Sequence, residues 1–469
     1  MSGTIGILSL VPPVVAVALA LWKRQLIPSL FLGIWIGHAI LNKGRVFPAF
    51  FATLDNSIRI ASVKSNLEII LFCFLIGSFL ALIRESNGFQ GIIEWFERRK
   101  AFKGRAAVFP LTFLIGVSIF VESWSSMLID GAVMRPLYIK LRIAQEKLAY
   151  FLHSISLNFV AMVVINSWGA YYISLLMSQN IPSPLKVIVK SIPYNYYCLT
   201  SLAMVIVVMA TSLSLGPMRR AERQTAADGE SARPGNGGLE GEIRARGKQL
   251  PPKAFNMILP TVVLVAGVFW GLYYTGGGAI YKGSGSAAVF YAGVVSILVT
   301  SAYYFLRRYF RLAELMEIIY KGAGDLFSIG ALLVFALTMG DLCKQMGTGV
   351  FLADLVKNSV PVFLLPAIIF LTSCVISFST GTAYGTLAIM VPIAMPMAGL
   401  MGIPFPLMFG ACVSGGVFGN NCSPISDTSI IASLAAGVPV LRHVKTQLPY
   451  ALISAGVATA LFLLTGLLR

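Results

Sequence analysis

The sequence predicts an all-α polytopic membrane protein of two inverted repeats, with re-entrant hairpins and broken helices amounting to about 10 crossings plus 2 hairpins. Three observations carry that expectation. First, 57% of the 469 residues are hydrophobic and only 12% are charged, whereas a soluble domain carries roughly 25% charged residues. Second, apolar stretches able to cross roughly 30 Å of hydrocarbon recur from end to end. Leu10 to Leu21, Leu71 to Ile83, Leu202 to Leu215 and Leu448 to Leu468 are plain cases. Third, other apolar regions are interrupted near their middles by short polar runs, in matching places in the two halves. A soluble protein with several buried helices does not require so many nearly uncharged segments.

Two leading spans are expected at about 5–22 and 26–42, joined by a turn at Lys23 and Arg24. The first lacks a basic start and an A-x-A-like cleavage site, so it reads as a retained span. Lys43 to Asn66 is moderately polar and carries no expected span. A span at about 67–84 leads to a basic connection with Arg98, Arg99, Lys100, Lys103 and Arg105. The apolar region 106–138 is interrupted at VESWSS and 148–176 at INSWG, while 190–214 is an ordinary span. Residues 216–254 are rich in Gly, Pro, Ala and charge, show no apolar face, and read as a loop between the halves. Spans follow at about 256–274 and 287–306, then a basic connection with Arg307, Arg308 and Arg311 and a span near 323–343. Region 361–400 is broken at SFSTGTAYGT and 406–436 at GNNCSPISDTS, and a final span occupies about 447–467.

The expected domains are an N-terminal half, 1–215, with scaffold helices 5–42 and repeat one 67–214; a cytosolic loop 216–255; and a C-terminal half, 256–469, with scaffold helices 256–306 and repeat two 323–467. The repeat rests on ordered correspondences. Pro110 to Pro136 and Pro366 to Pro392 have the same length, each with Ser, Thr or Gly at its centre and an apolar run into proline. NSWG at Asn166 to Gly169 stands where SDTS stands at Ser426 to Ser429. If each first interruption is a hairpin and each second a broken crossing, most basic connections fall on one side, which is then cytoplasmic. Lys43, Arg45, Arg59 and Lys64 land outside and count against that orientation.

Polar backbone at membrane depth survives only where protein or a polar cavity surrounds it. The interruptions therefore mark opened helices, whose free N–H ends suit anions and whose carbonyl ends suit Na+. In tip one, Glu122 is either a proton or cation site or a structural ion pair, and Ser125 and Ser126 either line a cavity or cap a helix. Tip two, with Ser379, Thr380, Gly381 and Thr382, serves binding or tight helix packing. The break at 419–429 offers Asn420, Asn421, Ser423, Ser426, Asp427 and Thr428, with Asp427 either an N-cap or a coupling residue. Its counterpart offers Asn158, Asn166, Ser167 and Trp168. His153 is open between a titrating group and a hydrogen-bonded core histidine. Asp130, Asp325 and Asp341 complete the set, the last two expected in structural pairs.

Several classes are excluded or disfavoured. The net charge of +17 sits in short clusters between spans, which fits topology and anionic lipid rather than nucleic acid. Six isolated cysteines and three histidines disfavour disulfides and a metal cluster. There is no nucleotide-binding motif, no enzyme chemistry and no cofactor beyond Na+ and/or H+ as coupling ion.

The strings GAVMRPLYIKLRIAQEKLAY, GDLCKQMGTGVFLA, STGTAYGTLAIMVPIAMP, GNNCSPISDTSIIAS and HVKTQLPYAL resemble the NhaC-type sodium/proton antiporter family of the ion-transporter superfamily, over nearly the full length. The resemblance implies hairpin tips, broken helices, elevator-like movement, and cation-coupled antiport or import of small organic solutes. Family members usually carry an acidic pair where Glu122-Ser123 stands, and aspartates where Asn420 and often His153 stand; Asp427 is kept. The expectation is an ion-coupled secondary active transporter of a small polar organic solute, such as an amino acid, with plain Na+/H+ antiport as the alternative. Ser125, Ser126, Asn158, Asn166, Ser167, Trp168, Ser379, Thr380, Gly381, Thr382, Asn420, Asn421 and Ser423 are expected at the solute. Glu122, Ser426, Asp427 and Thr428 are expected at the coupling ion, with Na+ at Glu122 or Asp427. A homodimer in the cell (inner or plasma) membrane, contacting lipid and its solute, is expected.

Overall fold

The computed structural model describes residues 6–23, 25–88, 91, 105–120, 123–227, 250–278, 283–348, 351 and 360–468. Helices connected by turns make up the described chain, and no strand occurs among these residues. Helix α1 (Val11–Lys23), after a short 3-10 turn, packs on α2 (Leu26–Leu41). Both fall on the segments expected to be the leading spans, as apolar helices shorter than a full crossing.

Helix α3 (Val46–Ala61) occupies the stretch for which the sequence suggested no element. Its buried side carries Ala49, Thr53, Asn56, Ser57 and Ile60, while Phe47, Phe51 and Ile58 are exposed. Asn56 meets His38 at 3.4 Å and Arg59 pairs with Asp341 at 2.6 Å. The small polar side thus faces protein and the aromatic side faces outward, the arrangement a helix adopts against lipid. Counting polarity alone mistakes such a helix for a loop.

Helix α4 (Lys64–Glu85) precedes two interrupted pairs, α5 (Arg105–Ser118) with α6 (Ser123–Lys140), and α7 (Gln145–Val160) with α8 (Ser167–Ser178). A short α9 (Pro184–Ser191) leads to α10 (Tyr196–Thr211), and then comes α11 (Gly216–Ala227). The expectation of no apolar face over 216–254 fails at its start. Met218 and Ala221 of α11 are buried, Glu222 pairs with Lys147 at 2.5 Å, and Gln224 accepts from Arg442 at 3.0 Å. Two apolar residues three apart dock a helix when flanking charges find partners. Residues 228–249 of that segment lie outside the described residues.

In the second half, α12 (Phe255–Thr275) and α13 (Gly285–Leu306) form a close pair, with Gly267 and Gly271 against Ala292 and Ala288. Helix α14 (Leu312–Asp325) packs on α4 and meets α15 (Phe327–Met346) at a bend of 41°. The interrupted pairs α16 (Leu365–Thr380) with α17 (Ala383–Leu400), and α18 (Phe405–Cys422) with α19 (Asp427–Ala436), are followed by α20 (Val440–Leu467). The series of long helix, two interrupted pairs and closing helix therefore occurs twice. Among the described residues seven helices are long and apolar enough to cross a membrane. The two arms of α16–α17 are among them, whereas the interrupted pairs α7–α8 and α18–α19 are not.

Helix α18 packs on α16 through a small-residue seam. A Cβ added at Gly415 would lie 2.4 Å from the Phe370 carbonyl oxygen, and one at Gly419 would lie 2.3 Å from the Phe378 nitrogen. At Gly416 the nearest atom would be 3.5 Å away. Gly415→Val or Gly419→Val is expected to destabilise the detergent-solubilised protein by about 1–3 kcal/mol, and Gly416→Ala to be nearly neutral. Thermal unfolding of the three variants checks this.

Candidate functional site

Each interruption has its own cause. Gly381 ends α16 at φ +70, a left-handed conformation that glycine adopts without strain, and a Cβ there would also approach Ile425 to 2.9 Å. Thr382 then starts α17, its hydroxyl accepting from Gly385 N–H at 3.4 Å. Ile425 belongs to the turn between α18 and α19, closed by Ser426 N–H to Ser423 O at 3.2 Å, so tip two rests on the second break. Pro424 in that turn has no N–H to continue the helix. Between α7 and α8, the Asn166 amide donates to Phe120 O at 3.1 Å and Val160 O at 2.8 Å, and accepts from Gly169 N–H at 3.0 Å. One side chain thereby satisfies backbone from tip one and from both halves of the first broken pair.

The interruptions enclose a cavity of about 270 Å³ lined by Ser123 and Trp124, Ser167 and Trp168, Thr382 and Tyr384, and Asn420, Asp427 and Thr428. Gln25, Ile27, Leu326, Ser328 and Leu332 close it. All of these except Leu332 and Asn420 sit at the cap or first turn of six helices: α2, α6, α8, α15, α17 and α19. Positive dipole ends of helices therefore face one space, with the Gly169, Gly385 and Thr428 N–H groups already taken by side chains of Asn166, Thr382 and Asp427. Asp427 is the one charged side chain in the lining among the described residues. Its carboxylate accepts from Thr428 N–H at 2.7 Å, has the Trp124 side chain as a further partner, and remains exposed to the cavity. Asn420 Oδ1 accepts from Ser426 and, at 3.2 Å, from Thr428. The Trp168 and Tyr384 rings pack 4.6 Å apart, and Tyr384 meets Ser167 at 3.4 Å.

A profile described as the Na+/H+ antiporter family matches residues 160–467. The chain belongs to the Na+/H+ antiporter family. It is similar to an uncharacterized Haemophilus influenzae protein, 31% identical over 96% of this chain and 89% of that one. It is also similar to the malate-2H(+)/Na(+)-lactate antiporter of Bacillus subtilis, 43% identical over 22% of this chain and 23% of the relative. The crystal structure of the Alcanivorax borkumensis YdaH transporter superposes with a TM-score of 0.56 at 14% identity, covering 89% of this chain and 88% of that one. That likeness shows the fold. The protein is a multi-pass membrane transporter rather than an enzyme, and Na+ or H+ is its coupling ion.

Within this antiporter-family fold the expected site residues divide. Ser167, Trp168, Thr382, Asn420, Asp427 and Thr428 line the cavity. Gly381, Asn166 and Ser426 shape it from behind. Asn158 and Asn421 are fully buried outside it, in a knot with Ser201 and Tyr197 that ties α7, α10 and α18. Ser126 bonds Gly116 O and Ser156 at 2.9 and 2.8 Å, joining α5, α6 and α7. Ser379 and Thr380 lie beside tip two without lining the cavity, and Ser423 is buried in the break. Ser125 carries no described side chain, and Glu122 lies outside the described residues. Asp325 and Asp341 pair with Arg84 and Arg59, as expected of helix-end carboxylates. Asp130 is fully buried outside the cavity. Gln25, Ser328 and Tyr384 went unnoticed in the sequence; Tyr384, three residues past Gly381, carried the one usable signal.

All six cysteines are buried, which leaves a quiet background for labelling. Thr382→Cys and Ser328→Cys are expected to react with a water-soluble maleimide, whereas Ser156→Cys and Asn158→Cys are not. Mass spectrometry of the labelled full chain checks this.

Proposed function

We propose that the chain is an ion-coupled secondary active transporter of a small organic solute bearing a carboxylate, with amino acids included in that class. The observation that carries this reading is the cavity wall: helix N-termini from six elements around a single carboxylate, Asp427. The N-termini favour a bound carboxylate. Asp427 takes the cation, whether Na+, a proton or the ammonium of a zwitterion. Neutral hydroxyls and amides from Ser167, Thr382, Thr428 and Asn420 orient the cargo. The malate and lactate in the name of the Bacillus subtilis relative are carboxylates and support the same class.

Plain Na+/H+ antiport is the second reading, favoured by the family itself; Asp427 then alternates between proton and Na+. Under either reading the second arms of α5–α6 and α16–α17 return as re-entrant hairpins. The broken pairs α7–α8 and α18–α19 each make one crossing, and the halves are inverted in the cell membrane with residues 216–255 cytoplasmic. Helices α1, α2, α12 and α13 form the scaffold and the surface of a homodimer, against which the hairpin domain moves as an elevator. The expected cation role of Glu122 completes this reading at tip one.

Proteoliposomes with an imposed Na+ gradient decide between the readings. Labelled lactate, malate and amino acids are offered outside, and an entrapped dye reports protons. Saturable solute uptake that needs the gradient is the expected result; solute-independent proton movement alone would establish plain antiport. Asp427→Asn is expected to weaken Na+ binding about tenfold or more, because a contact to a charged group contributes about 1.5–3 kcal/mol and 1.4 kcal/mol is a factor of ten. Thermal shift against Na+ concentration, with Glu122→Gln alongside, measures it.

A further inference from the structure

A chain of hydrogen bonds leaves the cavity between α7, α19 and α20. The hydroxyl of Thr428, on the cavity wall, meets His153 Nε2 at 2.9 Å. His153 Nδ1 in turn meets His443 Nε2 at 3.0 Å. Both rings are fully buried, and His443 Nδ1 has no partner among the described residues. His443 lies one turn into α20, beside Arg442, which is half exposed and pairs with Glu146 at 2.6 Å. The two rings thus carry the chain from the cavity into the fully buried seam between α7 and α20, where the neighbouring residue Arg442 reaches the surface.

Two neutral imidazoles that share one N···N contact hold one proton between them. In one polarity His443 Nε2–H donates to His153 Nδ1, His153 Nε2–H donates to Thr428, and Thr428 donates to Asn420 Oδ1. Every inner atom is then satisfied and His443 Nδ1 is a bare acceptor. In the reverse polarity Thr428 donates to His153, His153 donates to His443, and the His443 proton sits on Nδ1. One proton added at His443 Nδ1 and one released from the Thr428 hydroxyl convert the first polarity into the second. The released proton goes to the Asp427 carboxylate or to cavity water, and no charge stays on the rings.

We propose that His443, His153 and Thr428 form a proton relay between the surface at Arg442–Glu146 and Asp427 in the cavity. The proposal rests on the transport reading of that cavity. His443 Nδ1 is open among the described residues, so the pair has an acceptor left at its outer end. The neighbouring charges leave the path open. Glu146 is held by Arg442, and Lys147 by Glu222 at 2.5 Å. Asp130, on α6, faces Gly116 of α5. Tyr150 stacks on Tyr450 with centroids 4.7 Å apart. Asp427 is the carboxylate at the inner end.

The test uses the full chain in proteoliposomes with two readouts. Exchange of labelled Na+ at equal concentrations reports site and alternating access without net proton transfer; Na+-gradient-driven proton movement reports the relay. His443→Gln and His153→Gln are expected to keep the parent exchange rate while proton movement falls about a hundredfold, the scale of losing a positioned proton-transfer group. Equal loss of both, or unchanged proton movement, would overturn the relay. No Na+ exchange in the parent would instead refute the transport reading, and the relay with it. A second measurement needs no variant of the pair. The chain has three histidines, so nitrogen-labelled histidine NMR, with His38→Gln for assignment, follows both rings. Their signals are expected to exchange tautomer together, both rings staying neutral, when Na+ is added at fixed pH; two rings that stay fixed while proton flux changes would overturn the proposal.

Discussion

Backbone polar groups cannot be left unpaired where water is absent, and the architecture follows from that constraint. Helices that stop partway must have their exposed ends received by something. Here the ends receive one another. Asn166 serves carbonyls from tip one and α7 and an N–H of α8. Gly381 lies directly against the link that separates α18 from α19. The caps and first turns at these breaks also line the cavity, so the residues that end the helices are the ones that shape it.

The charge distribution sharpens that capacity. Helix N-termini favour negative charge without help from a lysine or arginine, and none lines this cavity among the described residues. One carboxylate, Asp427, sits in this field, and its contacts with Thr428 N–H and Trp124 fix its orientation. Under the proposed function, a solute carboxylate and a cation would thereby have adjacent, opposite environments. Coupling needs no direct contact between them beyond this: each makes the cavity more favourable for the other when both are present.

Much of this was legible in the sequence, because a break leaves a local chemical trace. Gly381-Thr382, Pro424 and the polar run around Asn166 stand out in apolar surroundings, and all three coincide with interruptions. Which side of a helix such residues face is a tertiary matter. Asn158, Asn421 and Ser126 belong to the same polar runs, yet they bind helices to each other. Gln25 and Ser328 reach the cavity from elements distant in sequence, and nothing local distinguishes them. Helix α3 was hidden for another reason: its polar side is the buried one, which reverses the pattern that identifies amphipathic helices in water.

The same reasoning bears on how the protein would prevent leakage. Thr428 is shared: its hydroxyl belongs to the cavity wall, to the Asn420–Ser426 cluster and to the bond with His153. A hydroxyl has one proton to donate, so Thr428 cannot donate to Asn420 and to His153 at once. Whatever occupies the cavity and draws on Asn420 therefore changes which way Thr428 points. A cation taking Asn420 Oδ1 as ligand would release the hydroxyl toward His153 and set the histidine pair in one polarity; an empty site would return it to Asn420 and set the other. In the proposed relay, occupancy of the site and direction of the histidine pair would thus be tied through a single side chain, which is the logical requirement for exchanging one ion against another rather than letting both pass.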